Sequence, residues 1–161
     1  VHEFVEKGLE KFGTVDAIVC LPGSLILKPA HKCTEEEFEY TINTNLKSSF
    51  SVVRAAGALL ENSSIVLMST AAASIGLSNH ELIASAKAGV EGLTRSAAKT
   101  YARKKLRFNT ISPGMVETPL IGSIGQVQRL GRQCLGEINH ALLLIDIMHP
   151  LSLGLFRFSR K

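Results

Sequence analysis

Residues 69–89 read Ser-Thr-Ala-Ala-Ala-Ser-Ile-Gly-Leu-Ser-Asn-His-Glu-Leu-Ile-Ala-Ser-Ala-Lys-Ala-Gly, and the architecture unfolds from them in both directions. Just upstream, Ser64–Ser69 (Ser-Ile-Val-Leu-Met-Ser) is a short apolar run of the kind that fills a strand buried on both faces. A loop of small residues follows. Glu81–Ala102 then carries Val90, Leu93, Ala97 and Tyr101 at the spacing of one helical face. Asn79 is the expected N-cap, with His80 and Glu81 completing the helix start. Lys87 lies inward on this helix, among Ala84, Ala86, Ala88 and Gly89, which permit close backbone approach. A lysine snorkelling along the helix face is the bland alternative.

Further out, Leu106–Ile111 is another strand, ended by Ser112-Pro113-Gly114. Upstream, Val1–Phe12 has helical periodicity, with Phe4, Val5 and Leu9 on one side and Gly13 as its stop. Val15–Cys20 reads as a strand buried on both faces before Pro22-Gly23. Thr34-Glu-Glu-Glu37 is a capping box, opening a helix whose stripe of Phe38, Ile42, Leu46, Phe50 and Val53 should face the core. Asn45 interrupts that apolar face, and a buried asparagine needs partners, either structural or functional. Strands and helices alternate, joined by crossovers too long for hairpins. The fold class is therefore α/β, a doubly wound parallel sheet of which about three strands are recognisable. Ligands in such sheets bind beyond the carboxyl ends of the strands, here the loops at 20–24, 69–80 and 112–120. From Ile121 onward glycines break every pattern except a short helix at Ile138–Met148. Residues 1–120 are thus expected as the domain and 121–161 as an appended tail.

At 161 residues, 45% of them hydrophobic, one globular domain is the upper bound. The net charge of +4 is modest. Its densest cluster, Arg103, Lys104, Lys105 and Arg107, falls where cations oppose a helix C-terminal dipole. With few aromatics and no Trp, a base-stacking nucleic-acid surface is not expected. Cys20, Cys33 and Cys134 are odd in number and scattered, which points to a reducing, cytoplasmic setting without a zinc site. No signal peptide is visible. The apolar run Ala141–Met148 covers about a third of a bilayer span, so no membrane partner is expected. The chain opens without Met inside a helix and reads as a piece of something longer.

Four motifs, in order, carry a family resemblance over residues 1–120. Asp16-Ala-Ile-Val-Cys-Leu-Pro-Gly23 is similar to a strand ending in Asn-Asn-Ala-Gly, of which only the glycine is kept. Thr41-Ile-Asn-Thr-Asn-Leu46 is similar to a helical asparagine motif. Ser69-Thr70 with Ala84-Ser-Ala-Lys-Ala-Gly89 is similar to a catalytic serine and lysine segment. Leu106-Arg-Phe-Asn-Thr-Ile-Ser-Pro-Gly-Met-Val-Glu-Thr-Pro-Leu120 is similar to the strand and Pro-Gly loop that cover a nicotinamide. Together they resemble the middle and later part of the short-chain dehydrogenases/reductases.

The resemblance implies hydride transfer between NAD or NADP and a small-molecule alcohol or carbonyl. It makes Lys87 the lysine that holds the nicotinamide ribose and lowers the pKa of a catalytic tyrosine, since a nearby cation favours the phenolate. It makes Asn45 the asparagine of the proton relay and Thr70 the hydroxyl that polarises the substrate carbonyl. Gly23, Lys87, Pro113, Gly114, Val116 and Thr118 become cofactor contacts. The tyrosine itself, four residues before Lys87, is replaced by Ile83, which carries no proton. His80, at the helix start, is the candidate substitute acid. Tyr101 with Lys105 repeats the Tyr-x-x-x-Lys spacing, but at the far end of the same helix. No Gly-x-x-x-Gly-x-Gly run occurs in the chain, so the glycine-rich pyrophosphate turn of the family is not found. Two expectations follow: a weak or inactive oxidoreductase portion, or a non-catalytic binding or oligomerisation subunit or truncated product. The family also implies a homo-oligomer built through the helices starting near residues 35 and 81, and an unpaired hydrophobic edge at strand 15–20.

Overall fold

The computed structural model describes residues 1–114 and the strand Leu144–Asp146. Helix α1 (His2–Phe12) leads to β1 (Ala17–Cys20). A loop with one 3₁₀ turn (Ala30–Lys32) precedes α2 (Glu35–Ile42), a π-helical turn (Asn43–Lys47) and α3 (Ser48–Leu59). Then come β2 (Ser64–Met68), the short α4 (Ala72–Ile75), α5 (Glu81–Thr100), β3 (Arg107–Ser112) and β4 (Leu144–Asp146). Val116, Thr118, Cys134 and, apart from β4, the expected tail 121–161 lie outside the described residues.

The sheet order is β1-β2-β3-β4. β1 and β3 both run parallel to β2, with Ile18, Ile65 and Phe108 aligned across the three strands. β4 joins the free edge of β3 antiparallel, Thr110 opposite Asp146. Leu144–Asp146 is therefore strand where a short helix over Ile138–Met148 was expected. An apolar run this short carries no decisive period, and the open edge of β3 supplies the ladder hydrogen bonds.

Ile65, Leu67 and Phe108 face a cluster built from Val52, Val53 and Ala56 of α3 and Val90 and Ala97 of α5. Thr110 is buried beside them and donates its hydroxyl to Thr94 Oγ1 at 2.7 Å, tying α5 to β3 through a satisfied polar pair. The other face of the sheet, with Val66, Met68 and Ile111, is only half-buried. β1 departs further from expectation, with Ala17 and Val19 exposed and only Cys20 buried. Among the described residues β1 has a single strand neighbour, so it forms the expected unpaired edge rather than a strand covered on both faces.

The capping box is present as read: Glu37 N–H donates to Thr34 Oγ1 at 3.2 Å and Thr34 N–H to Glu37 Oε2 at 3.1 Å. Lys28 also donates to Glu37, and that hydrogen bond holds its carboxyl below the usual range. The expected core stripe differs. Phe38 is 46% and Phe50 54% exposed, while Thr41, Asn45, Ser49, Val52 and Val53 are buried. Leu46, from the expected stripe, does meet α5: a Cβ on Gly89 would sit 3.1 Å from its Cδ2, so the glycine admits the close approach. On α1, Val5 is buried but Phe4 is 80% exposed. Before α5, Asn79 takes φ 63° in the left-handed region that asparagine tolerates, and His80 occupies the N-cap position without a side-chain cap bond. An asparagine in that conformation closes the preceding turn instead of opening the helix.

Chemical denaturation separates the observed core from the expected one. Ile65→Ala is expected to cost about 2–5 kcal/mol through transfer and cavity terms. Phe50→Ala is expected to cost less than about 1 kcal/mol, because its ring already meets solvent. Equal costs would contradict this assignment of the buried face.

Candidate functional site

Lys87 is the centre of the site. It projects from the inner face of α5, is 7% exposed, and donates from Nζ to the Met68 carbonyl at 2.8 Å where β2 ends. Burial pushes its pKa below the ordinary 10.5, opposed by a smaller attraction to Cys20. One of its three N–H groups is taken, leaving two with no acceptor among the described residues. Ile83, one turn earlier on the same face, is 4% exposed and puts an alkyl group where the family resemblance places its acid.

Asn45 is fully buried in the π-helical turn. Its Nδ2 donates to the Thr41 carbonyl at 3.0 Å and to Ser24 Oγ at 2.9 Å, and its Oδ1 accepts from Ser24 N–H at 3.3 Å. Asn45 therefore clamps the loop after β1, with Gly23 so close that a Cβ there would stand 3.6 Å from Oδ1. π-helical turns of this kind are frequent at functional sites. The Ser49 hydroxyl donates to the Asn45 carbonyl at 3.0 Å. At the end of β1, burial raises the Cys20 thiol pKa, opposed by a hydrogen bond from Ser49 and by the Lys87 charge.

Thr70 follows β2 directly, half-buried, its Oγ1 accepting from Ala72 N–H at 3.4 Å. Its loop is tied to the next strand exit: Ser69 N–H donates to the Ile111 carbonyl at 2.8 Å and Ala71 N–H to the Pro113 carbonyl at 3.0 Å. Gly114 is open, with nothing within 4 Å of a built Cβ. Lys87, Thr70 and Pro113–Gly114 are thus drawn to one edge of the sheet, and Asn45 with Gly23 to the neighbouring strand end. His80 is not drawn in by any such bond. Its Nδ1 lies 2.8 Å from the Ser78 carbonyl. Tyr101 packs at the other end of α5, its ring centroid 5.9 Å from that of Phe108.

Two residues of the site were not singled out from the sequence. Ser24 stands beside Gly23 in an irregular loop and offers no local signal. Glu91 was legible in principle, as a carboxylate one turn beyond Lys87 on an otherwise small and apolar helix face.

A buried ammonium with two donors to spare, beside a hydroxyl and an open Pro-Gly loop, suits the ribose and nicotinamide end of a dinucleotide. The class so defined is an α/β protein with its candidate site at the carboxyl edge of a parallel sheet. A family model described as enoyl-(acyl carrier protein) reductase matches residues 1–140, and the chain belongs to the short-chain dehydrogenase/reductase family. It is 38% identical over 122 residues to the hydroxynaphthalene reductase-like protein Arp2 of Metarhizium anisopliae, covering 74% of this chain and 46% of that one. It is 32% identical over 132 residues to the 3-oxoacyl-[acyl-carrier-protein] reductase FabG of Thermotoga maritima, covering 80% and 54%. Among solved structures, ElxO with NADP bound matches with TM-score 0.71 and 28% identity, over 79% of this chain and 53% of that one. A short chain dehydrogenase from Mycobacterium smegmatis matches with TM-score 0.68 and 27% identity, over 72% and 50%. The chain spans about half the length of the curated relatives it matches.

The depressed pKa of Lys87 has a stability consequence of fixed sign. Between the lowered folded value and the ordinary 10.5 the unfolded chain holds the proton and the folded chain does not, so folding gains as pH rises through that window. Below it, the folded state carries the full cost of a desolvated charge. Lys87→Met is therefore expected to be more stable than wild type at neutral pH, with the difference shrinking as pH approaches 10.5, read by urea titrations across pH. A constant difference would refute the burial account.

Proposed function

We propose that the chain forms the substrate side of an NAD(P)-dependent oxidoreductase acting on a small alcohol or carbonyl compound. The single observation that carries this reading is the buried Lys87 ammonium, aligned with Thr70 and Pro113–Gly114 at the sheet edge. Lys87 holds the ribose hydroxyls, Gly23, Pro113, Gly114, Val116 and Thr118 contact the cofactor, and the Thr70 hydroxyl donates to the substrate oxygen. When bound, the reduced nicotinamide supplies the hydride. Asn45 keeps the loop after β1 in register with that pocket. Proton delivery is the weak step, because Ile83 has none to give; the imidazole of His80, three residues earlier, is the candidate donor. Catalysis by this chain is accordingly slow. Residues 1–120 act as the functional domain and 121–161 as its appendage.

The exposed Phe38 and Phe50 support a second reading, an assembly subunit that self-associates through the α2–α3 and α5 helices. A homo-oligomer is compatible with either function, and light scattering after gel filtration detects it. No described helix is long and apolar enough to cross a membrane, and a cytoplasmic location is proposed from the free cysteines Cys20 and Cys33.

Calorimetric titration of NADH and NADPH into the chain tests the pocket. Binding on the order of micromolar is expected, weakened at least about tenfold in Lys87→Ala. No heat of binding to a demonstrably folded chain would remove the oxidoreductase reading and leave the assembly one. With nucleotide bound, Ile83→Tyr is expected to raise carbonyl reduction by about 10²–10⁴-fold, the usual scale of a positioned general acid. Dependence of the residual wild-type rate on His80 would show in His80→Gln.

A further inference from the structure

Glu91 is given no contact with cofactor or substrate above, yet its carboxylate is the junction of three segments that form the pocket. Its Oε1 accepts from Ser69 Oγ at 2.7 Å and from Ser112 Oγ at 3.2 Å, and both serines are buried. Ser69 immediately precedes Thr70, and Ser112 immediately precedes Pro113–Gly114. Ser69 Oγ also lies 3.2 Å from the Lys87 carbonyl, so the same hydroxyl touches the backbone of the lysine itself. A single hydroxyl proton goes to the shorter, charge-assisted partner, which makes Glu91 its principal acceptor. Lys87 and Glu91, one helical turn apart, thereby grip consecutive residues of one strand end, the Met68 carbonyl and the Ser69 hydroxyl.

On the reading that Lys87, Thr70 and Pro113–Gly114 form a nicotinamide-side pocket, we infer that Glu91 is a positioning residue, setting their relative placement by fixing α5 to the exits of β2 and β3. Packing alone explains the position poorly. A carboxylate at a half-buried site costs desolvation that an alkyl side chain avoids, and here it is offset by serving two buried hydroxyls, of which Ser112 Oγ has no other acceptor among the described residues. The geometry at stake is fine, since a displacement near 1 Å at a reacting centre can cost about a hundredfold in rate.

The test compares Glu91→Ala with Glu91→Gln in the full chain, using two readouts. The first is NADPH affinity by calorimetry. The second is the pH titration of the Lys87 side chain in ¹³C-lysine-labelled protein, assigned by its loss in Lys87→Arg. Glu91→Ala is expected to weaken NADPH about tenfold and to move the Lys87 titration back toward the ordinary lysine range, as α5 loosens and water reaches the ammonium. Glu91→Gln keeps an acceptor oxygen while removing the charge, and is expected to stay within about threefold of wild type on both readouts. Loss of thermal stability in Glu91→Ala with an unmoved Lys87 titration would overturn the inference and leave a structural bridge. If wild type binds no NADPH, the pocket reading fails, while the Lys87 titration still decides whether Glu91 positions the lysine. If Glu91→Ala does not fold, Ser112→Ala removes one of the two donors. A smaller Lys87 shift in the same direction supports the role, and no shift overturns it.

Discussion

Two strands that run the same way must be joined by a crossover, and α5 is the crossover between Met68 and Arg107. Its N-terminal half consequently lies beside the carboxyl ends of β2 and β3, and its C-terminal half beside their starts. Everything functional depends on this placement. Lys87 and Glu91 meet the strand exits because they fall within the first eleven of the helix's twenty residues, whereas Tyr101 falls at its end and packs against Phe108 and Gly57. The buried hydroxyl pair Thr94–Thr110 and the apolar contact of Val90 hold the middle of the helix to the sheet. A helix secured along its length can bury an ammonium at one end, since the rest of the interface outweighs that local cost.

The second strand end is organised differently. At β1 no charged group intrudes; a neutral asparagine does the work from an irregular turn. The π-helical turn presents the Asn45 amide to Ser24 while Nδ2 still reaches the Thr41 carbonyl, so the amide is satisfied inside the core. Cys20 lies at the end of the same strand, under the influence of both Ser49 and Lys87. Ile83 stands out against this background. It places a buried alkyl group one turn from the Lys87 ammonium, where the family resemblance expects an acid.

Much of this was legible in the sequence, for reasons that differ by element. The three parallel strands were found to within about two residues at each end, because short β-branched runs bounded by loop residues leave few alternatives, whereas β4 was read as helix. The capping box was read correctly because both of its hydrogen bonds are local. The α2–α3 face was read only in part: Leu46 and Val53 pack on the core, while Phe38 and Phe50 are exposed. Phe38, Ile42, Leu46, Phe50 and Val53 have perfectly good helical spacing, yet a period does not say whether a stripe meets the core or something else. The buried positions also take in Thr41, Asn45 and Ser49, while Leu46 of the expected stripe abuts Gly89. Asn79 was misplaced for a related reason, since it satisfies its local preference equally well as a cap or in a left-handed turn.

What the sequence determined alone is whatever local chemistry and motif order encode: an alternating α/β chain, its family, the inward lysine, and the loss of the tyrosine at residue 83. What only the tertiary structure decided is which groups meet. The Ser69–Glu91–Ser112 junction joins residues about twenty positions apart, and the Asn45–Ser24 clamp spans a similar gap. Neither pairing leaves a periodic or compositional trace. Each exists because parallel strands bring distant loops to a common edge, where a buried hydroxyl or amide must find its partner.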